Sequence, residues 1–286
     1  MAAATGIAGN FVFTKIWQQN KGNAVREGIL FNTLTGFITG FIFYAVSGFK
    51  LEYTPFSLLI SALIMLCVGG YTLIGFRIMS MGNMTVYTVF LMLGGAVVPY
   101  IYGWVFLNEV INLPKILGLI FVVIAVTLNA GEEKSQKPSS KFFLLCIAVF
   151  LINGATSVLS KVHQIESVCP KVSDMSFVVL SNLVRGMMFL IMMPFCHQET
   201  KQKAASGCDG RVYLAVFFSS LVNGISYFLQ LGSVSRLPAT IFFPLLTCVS
   251  IAMTAVFDRL VFKETLSRKT WISMGICAVS LILFVV

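Results

Sequence analysis

The chain has 286 residues, 57% hydrophobic and 11% charged, with a net charge of +9 and a mean hydropathy of +0.90. A water-soluble domain is nearer half apolar and about a quarter charged, so this much apolar surface cannot be hidden in one core. The basic excess does not indicate nucleic acid either. Lys and Arg come in ones, twos and threes at the ends of apolar runs, without a basic stripe or interleaved stacking aromatics. That distribution is the inside-leaflet charge bias of membrane proteins.

In chain order, apolar runs are predicted over 1–17, 28–49, 57–79, 84–107, 113–131, 142–163, 174–195, 212–233, 239–262 and 270–286. A helix crossing a bilayer needs about twenty apolar residues. The recurrence of that length predicts an all-α polytopic membrane protein of ten transmembrane helices. Most breaks read as turns, such as Gly82-Asn83 and Leu237-Pro238. Two are more polar, Glu132 to Lys141 and His197 to Arg211. The first lies between spans five and six. It divides the chain into a first five-helix repeat (1–131), a polar linker (132–141) and a second five-helix repeat (142–286). No basic leader with a small-residue cleavage site opens the chain, so a signal peptide is not expected.

The halves resemble each other. A shift of 155 residues places Thr85 on Thr240, Leu91 on Leu246 and Glu109 on Glu264. A shift of 146 places Lys15 on Lys161 and Thr14 on Ser160, and one of 150 places Asn32 on Asn182 and Gly36 on Gly186. Span six then begins several residues before the point that matches Met1, so the first helix is expected to be short. Five spans is an odd number, so the second half must enter the membrane upside down. The expected architecture is an inverted repeat around a central cavity, with substrate near mid-membrane. Leaving out Lys15, Lys161, Arg185 and Arg259, twelve Lys/Arg lie in or within a turn of the breaks after odd-numbered spans and four in or within a turn of those on the other side. Loop charge therefore favours both termini outside.

Polar residues within the spans are few and periodic. Asn153, Thr156, Ser157, Ser160 and Lys161 form one stripe of span six; Asn223, Tyr227 and Gln230 form another in span eight; Asn32, Thr35, Gly36, Thr39 and Gly40 mark span two. Two readings stand: helix–helix contact through small and hydroxyl residues, favoured for span two, or the wall of a polar cavity, favoured for spans six and eight. Arg185 sits midway along span seven, where a cation costs at least ~2.5 kcal/mol and cannot easily reach the interface. It serves either as counter-charge to a carboxylate or phosphate on the substrate or as a structural cation. Lys15 and Lys161 lie nearer helix ends, where snorkelling competes with substrate contact.

All eleven Asp and Glu fall in breaks or end turns, which argues against a mid-membrane proton relay. Glu109 and Glu264 are expected to cap turns or pair with nearby bases. Tyr71, Tyr87 and Phe242 are candidate cavity walls, and Tyr53 and Trp271 fit the interfacial belt. The seven cysteines (Cys67, Cys146, Cys169, Cys196, Cys208, Cys248, Cys277) have no ligand spacing and read as free, so no metal or cofactor is expected.

The segment Gly9-Asn10-Phe11-Val12-Phe13-Thr14-Lys15, and Pro99 through Glu109 to Gly118 with its echo from Ala239-Thr240 through Glu264 to Ser273, resemble the drug/metabolite transporter superfamily in its ten-helix EamA-type branch. Departures are Ser273 and Ser280 where the family often has glycine, Thr254 opposite the proline of helix four, and the curtailed first helix. The resemblance implies helices 1–4 and 6–9 around the cavity, helices 5 and 10 at the periphery, and alternating access. Some relatives hold both termini in the cytosol, against the charge count, so topology stays open.

The residues and the resemblance together lead to an expected secondary transporter, not an enzyme, in the plasma membrane, exporting a small polar or amphipathic, amino-acid-like solute. Its substrate-binding candidates are Asn10, Lys15, Tyr71, Tyr87, Asn153, Thr156, Arg185, Asn223, Tyr227 and Gln230. Expected partners are the solute, the lipid bilayer and a second copy docked through the peripheral helices, with no nucleic acid. The alternatives are an exchanger of phosphorylated or nucleotide-linked sugars and a non-transporting or lipid-handling scaffold.

Overall fold

A computed structural model describes residues 1–21, 25–80, 84–129, 140–195, 210–263 and 267–285. Glu264, Cys196, Cys208, the Gly82-Asn83 turn and most of the 132–141 linker lie outside the described residues. Among the described residues there are ten α-helices: α1 (Ala2–Lys21), α2 (Val25–Val46), α3 (Pro55–Ser80), α4 (Met84–Phe106), α5 (Leu113–Asn129), α6 (Ser140–Ile165), α7 (Asp174–Met192), α8 (Gly210–Arg236), α9 (Ala239–Val261) and α10 (Arg268–Val285). A 3-10 turn, Met193–Phe195, follows α7. No strand occurs among these residues.

Seven helices, α2, α3, α4 and α6 to α9, are long and apolar enough to cross a bilayer. The expected ten helices are present among the described residues. The helix α5 has 17 residues, α1 carries Asn10, Thr14 and Lys15 and ends on Gln18-Gln19-Asn20-Lys21, and α10 opens on Arg268-Lys269. Helix ends follow local chemistry. Thr54 accepts the Ser57 N–H at 3.2 Å and Pro55 opens α3; Asn112 and Ser267 accept the N–H groups of Lys115 and Thr270 at the starts of α5 and α10. Gly48, at φ 71°, ends α2.

The helices pack as two compact units that cut across the sequence halves. Unit 1 holds the second part of α3 from Cys67, with α4, α5, α6, α9 and α10. Unit 2 holds α1, α2, the first part of α3 and α7, with α8 as far as Gly232.

Within unit 1, contacts come in matched pairs under the 155-residue shift. Ser273 Oγ donates to Ala125 O at 2.8 Å, and, with the matched positions exchanged, Ser280 Oγ donates to Gly118 O at 2.9 Å. The core between α4, α5, α9 and α10 contains Ala96 with its counterpart Ile251, Val122 with Cys277, Leu93 with Cys248 and Val126 with Leu281. Both α4 and α9 are followed by a left-handed residue, Asn108 at φ 52° and its counterpart Lys263 at φ 54°. Contacts that exchange a residue with its own image are what a two-fold relation produces.

Unit 2 has the same property at the α2–α7 crossing, where Gly36 meets its counterpart Gly186. A Cβ on Gly36 would stand 2.7 Å from the Gly186 nitrogen and 2.9 Å from the Asn182 oxygen, so only glycine lets these backbones touch. At the start of α7, Glu52 Oε2 accepts the Ser173 N–H at 2.9 Å and the Glu52 N–H donates to Ser176 Oγ at 3.2 Å, which ties the α2–α3 connection to α7.

Lys161 departs from expectation. It does not snorkel: it is 5% exposed, and its Nζ donates to Val234 O at 2.8 Å and Leu237 O at 2.7 Å, the free carbonyls at the end of α8. Glu109 holds the other side of the same connection. Its carboxylate accepts the Ala239 N–H at 2.7 Å, the Thr240 N–H at 2.8 Å and the Thr240 hydroxyl at 2.7 Å, so it caps α9. The sequence indicated a capping Glu109, but could not show that α8 ends opposite Lys161.

Three outcomes are expected from thermal unfolding in detergent. Gly36→Ala should cost about 1–3 kcal/mol, because backbone and not a flexible side chain must move. Gly275→Ala, where a Cβ meets nothing within 4 Å, should be neutral or stabilising by about 0.5–1 kcal/mol. Lys161→Met should cost about 1–3 kcal/mol by stripping the α8 carbonyls. As to pH, the Ser173 backbone and side chain hold the Glu52 carboxyl below its ordinary value. A depressed carboxyl stabilises the fold above the ordinary carboxylate range and loses that contribution as pH falls through its folded value. Glu52→Gln should remove this part of the acid sensitivity, seen as a flatter unfolding midpoint between neutral pH and about pH 4.

Candidate functional site

Unit 2 turns the polar side chains of four helices onto one another. On α7 the exposed residues are Met187, Leu190 and Ile191, whereas Ser181, Asn182 and Phe189 are buried. At about 100° per residue, Arg185 falls on the buried side, within about 60° of those three. It is itself partly buried. The α8 stripe behaves alike: Asn223, Tyr227 and Gln230 lie away from the exposed Phe218, Ile225 and Leu229.

Three hydrogen-bonded side-chain pairs join these helices. Arg185 Nη2 donates to Asn32 Oδ1, and Ser219 Oγ donates to Asn10 Oδ1. Asn223 Nδ2 donates to Asn182 Oδ1 at 3.4 Å. Local bonds fix the amides: Asn32 Nδ2 to Gly28 O at 2.7 Å, Asn182 Nδ2 to Val178 O at 2.8 Å, and Thr14 Oγ1 to Asn10 O at 2.9 Å. The Tyr227 ring lies 6.4 Å from that of Phe177. Arg185 is the charged member of this set, and its counterpart under the 150-residue shift is Thr35, whose hydroxyl bonds its own helix at Phe31 O. The cation is therefore present in one repeat and absent from the matching position of the other.

The structure distributes the ten candidates between the units. Asn10, Lys15, Arg185, Asn223, Tyr227 and Gln230 are in unit 2; Tyr71, Tyr87, Asn153 and Thr156 are in unit 1. Asn10, Arg185 and Asn223 belong to the hydrogen-bonded set. In unit 1 the α6 stripe makes helix contacts: Asn153 Nδ2 donates to Leu91 O at 2.7 Å, Ser157 Oγ to Gly95 O at 3.5 Å, and Thr156 Oγ1 to Asn153 O at 2.6 Å. Tyr71 and Tyr87 pack against Ile78, Phe142, Cys146 and Val149, and Phe242 packs against Val234, Ala239 and Phe243. Asn32, Asn182 and Ser219 were not among the candidates. Asn32 and Asn182 are each other's repeat counterparts, and Ser219 lies one turn before Asn223, which are the signals that could have added them.

This site offers hydrogen-bond donors, acceptors and one cation. Among the described residues no group of three or more His, Cys, Asp or Glu could hold a metal ion. The described acids of unit 2, Glu27, Glu52, Glu166 and Asp174, all lie in first turns or connections.

No curated protein sequence matches the chain. Among solved structures 28 chains match, including a crystal structure that covers 99% of this chain and 95% of its own at a TM-score of 0.76. Its identity is 12%, which establishes a shared fold alone. The model of the EamA-like transporter family matches residues 140–286, over half of the chain. With seven apolar helices long enough to span a bilayer, the protein is an integral multi-pass membrane protein, and the chain belongs to the EamA-like transporter family of drug/metabolite transporters.

Proposed function

We propose that this membrane transporter is a secondary carrier that exports a small polar or amphipathic, amino-acid-like solute across the plasma membrane. The solute binds against the Asn10–Ser219, Asn182–Asn223 and Asn32–Arg185 pairs of unit 2 and is passed on by alternating access. The observation that carries this reading is Arg185: a cation midway along a spanning helix, on the face opposite the oily one, held by a neutral amide. A charge so placed is costly, and such positions mark solute pathways. Further support comes from the matched contacts within each unit, which favour repeats spanning 1–131 and 142–286 as the source of the two alternating states. The confinement of the acids to helix ends and connections supports transport without a buried-carboxylate relay. An exchanger of phosphorylated or nucleotide-linked sugars would need more cations facing the solute than Arg185 supplies. The bilayer and the solute are the partners this reading requires, and a second copy would dock through α5 and α10.

Reconstituted vesicles test the proposal. Arg185→Gln should slow transport of the responding solute by about tenfold or more, the loss of one charge-assisted contact, while the protein still folds and inserts. Asn223→Ala should give a smaller loss in the same assay. Wild-type rates from both variants would refute the assignment of the site.

A further inference from the structure

Two hydrogen-bond chains in unit 2 end in amide groups without a partner among the described residues. In the first, Asn182 Nδ2 donates to Val178 O at 2.8 Å, and Asn182 Oδ1 accepts from Asn223 Nδ2 at 3.4 Å. The Asn223 oxygen is the last group of this chain, and among the described residues it accepts no hydrogen bond. In the second, Ser219 Oγ donates to Asn10 Oδ1, and the Asn10 amide nitrogen donates to none of the described residues. The two ends are neighbours. Asn10 bonds Ser219, one turn before Asn223 on α8, and a Cβ on the adjacent Gly9 would touch Val222 Cγ1 at 3.5 Å. The packing of α1 on α8 therefore sets a donor, Asn10 Nδ2, about one helical turn from an acceptor, Asn223 Oδ1. Both residues are partly buried.

An amide N–H and an amide oxygen side by side complement a second amide, whose C=O accepts and whose N–H donates. Resting on the solute site proposed above, we infer that this corner reads an uncharged carboxamide on the solute, its C=O accepting from Asn10 Nδ2 and its N–H donating to Asn223 Oδ1. Other groups fit less well. An ester offers the acceptor without the donor, and an alkyl chain or thioether offers neither. A hydroxyl carries both on one atom, which must then serve side chains on two helices. A carboxylate suits Asn10 but sets one oxygen against another at Asn223. Such mismatches reject a solute as effectively as good contacts select one. The pattern is independent of the charge on the rest of the solute.

The test uses the whole chain and four probes of equal charge and similar length: glutamine, glutamate γ-methyl ester, δ-hydroxynorvaline and methionine. Thermal shift across a concentration series reads binding, and efflux from vesicles reads transport. Glutamine should bind about tenfold more tightly than methionine, with the ester between them, as two neutral hydrogen bonds and then one are lost. Asn223→Ala should remove the preference for glutamine over the ester and keep that for the ester over methionine. Asn10→Ala should remove the preference for the ester over methionine. Asn10→Asp, which keeps Oδ1 for Ser219 and loses the N–H donors, stands in if Asn10→Ala does not fold. A purely structural role for either residue would weaken all four probes together, and that result overturns the inference. So does equal binding of glutamine and the ester, or binding of δ-hydroxynorvaline as tight as that of glutamine. A glutamine preference untouched by both substitutions places the amide contact elsewhere and overturns it too. Four probes that bind alike, and all weaken in Arg185→Gln, overturn the amide reading and leave the solute site standing. Silence from wild type toward all four also overturns the inference, while the Arg185→Gln transport assay judges the solute site separately.

Discussion

A hydrogen-bonding group within the hydrocarbon of a bilayer has no water to fall back on, so its partners must come from the protein or from what the protein carries. Most polar side chains in these helices meet that requirement through backbone carbonyls. Asn153 reaches Leu91, Thr39 reaches Ser220, Ser226 reaches Ala3, and Ser273 and Ser280 reach α5. Such bonds join helices and leave little for a solute. The set around Arg185 differs because its members bond one another side chain to side chain, which leaves their partners exchangeable. A solute can take the place of a side-chain partner far more readily than that of a carbonyl fixed in a helix.

The same constraint organises the helix ends. At the α8–α9 connection, Lys161 takes the carbonyls that end α8 and Glu109 takes the N–H groups that start α9. Opposite charges at opposite poles of two helices hold a short connection in place without pairing directly. At the start of α7, Glu52 serves the Ser173 N–H in the same manner. At these places charge is occupied with helix ends and connections, whereas Arg185 lies on the buried side of α7 and bonds a side chain of α2.

Much of this was legible in the sequence. Each predicted span falls on a helix, with ends shifted by a few residues, because apolar length and turn chemistry are local properties. Some of the paired landmarks touch: Gly36 meets Gly186, and Ser273 and Ser280 bond the counterparts of one another. Two things were not legible. Periodicity assigned the α6 polar stripe to one face but could not say that α4 backbone lies against it, where Asn153 bonds Leu91 O and Ser157 bonds Gly95 O. Distance to a helix end made Lys161 a snorkelling residue, whereas the end of a different helix claims it. Both have one cause, since the identity of the facing element is set by tertiary packing that a single helix does not record. The interleaving of the units escaped for the same reason.

The asymmetry between repeats points to function more directly than their likeness does. Gly36 and Gly186 are alike because both must let backbones touch, whereas Arg185 stands where its counterpart is Thr35. A packing role would be satisfied by the same small residue twice. The most direct measurement of the central claim is aqueous accessibility at half depth in unit 2. In a background with the native cysteines replaced, Asn223→Cys and Ile191→Cys are exposed in intact vesicles to a membrane-impermeant, charged thiol reagent. Labelling at position 223 with none at position 191 is the predicted result. Labelling at neither position, or at 191 alone, would contradict the account.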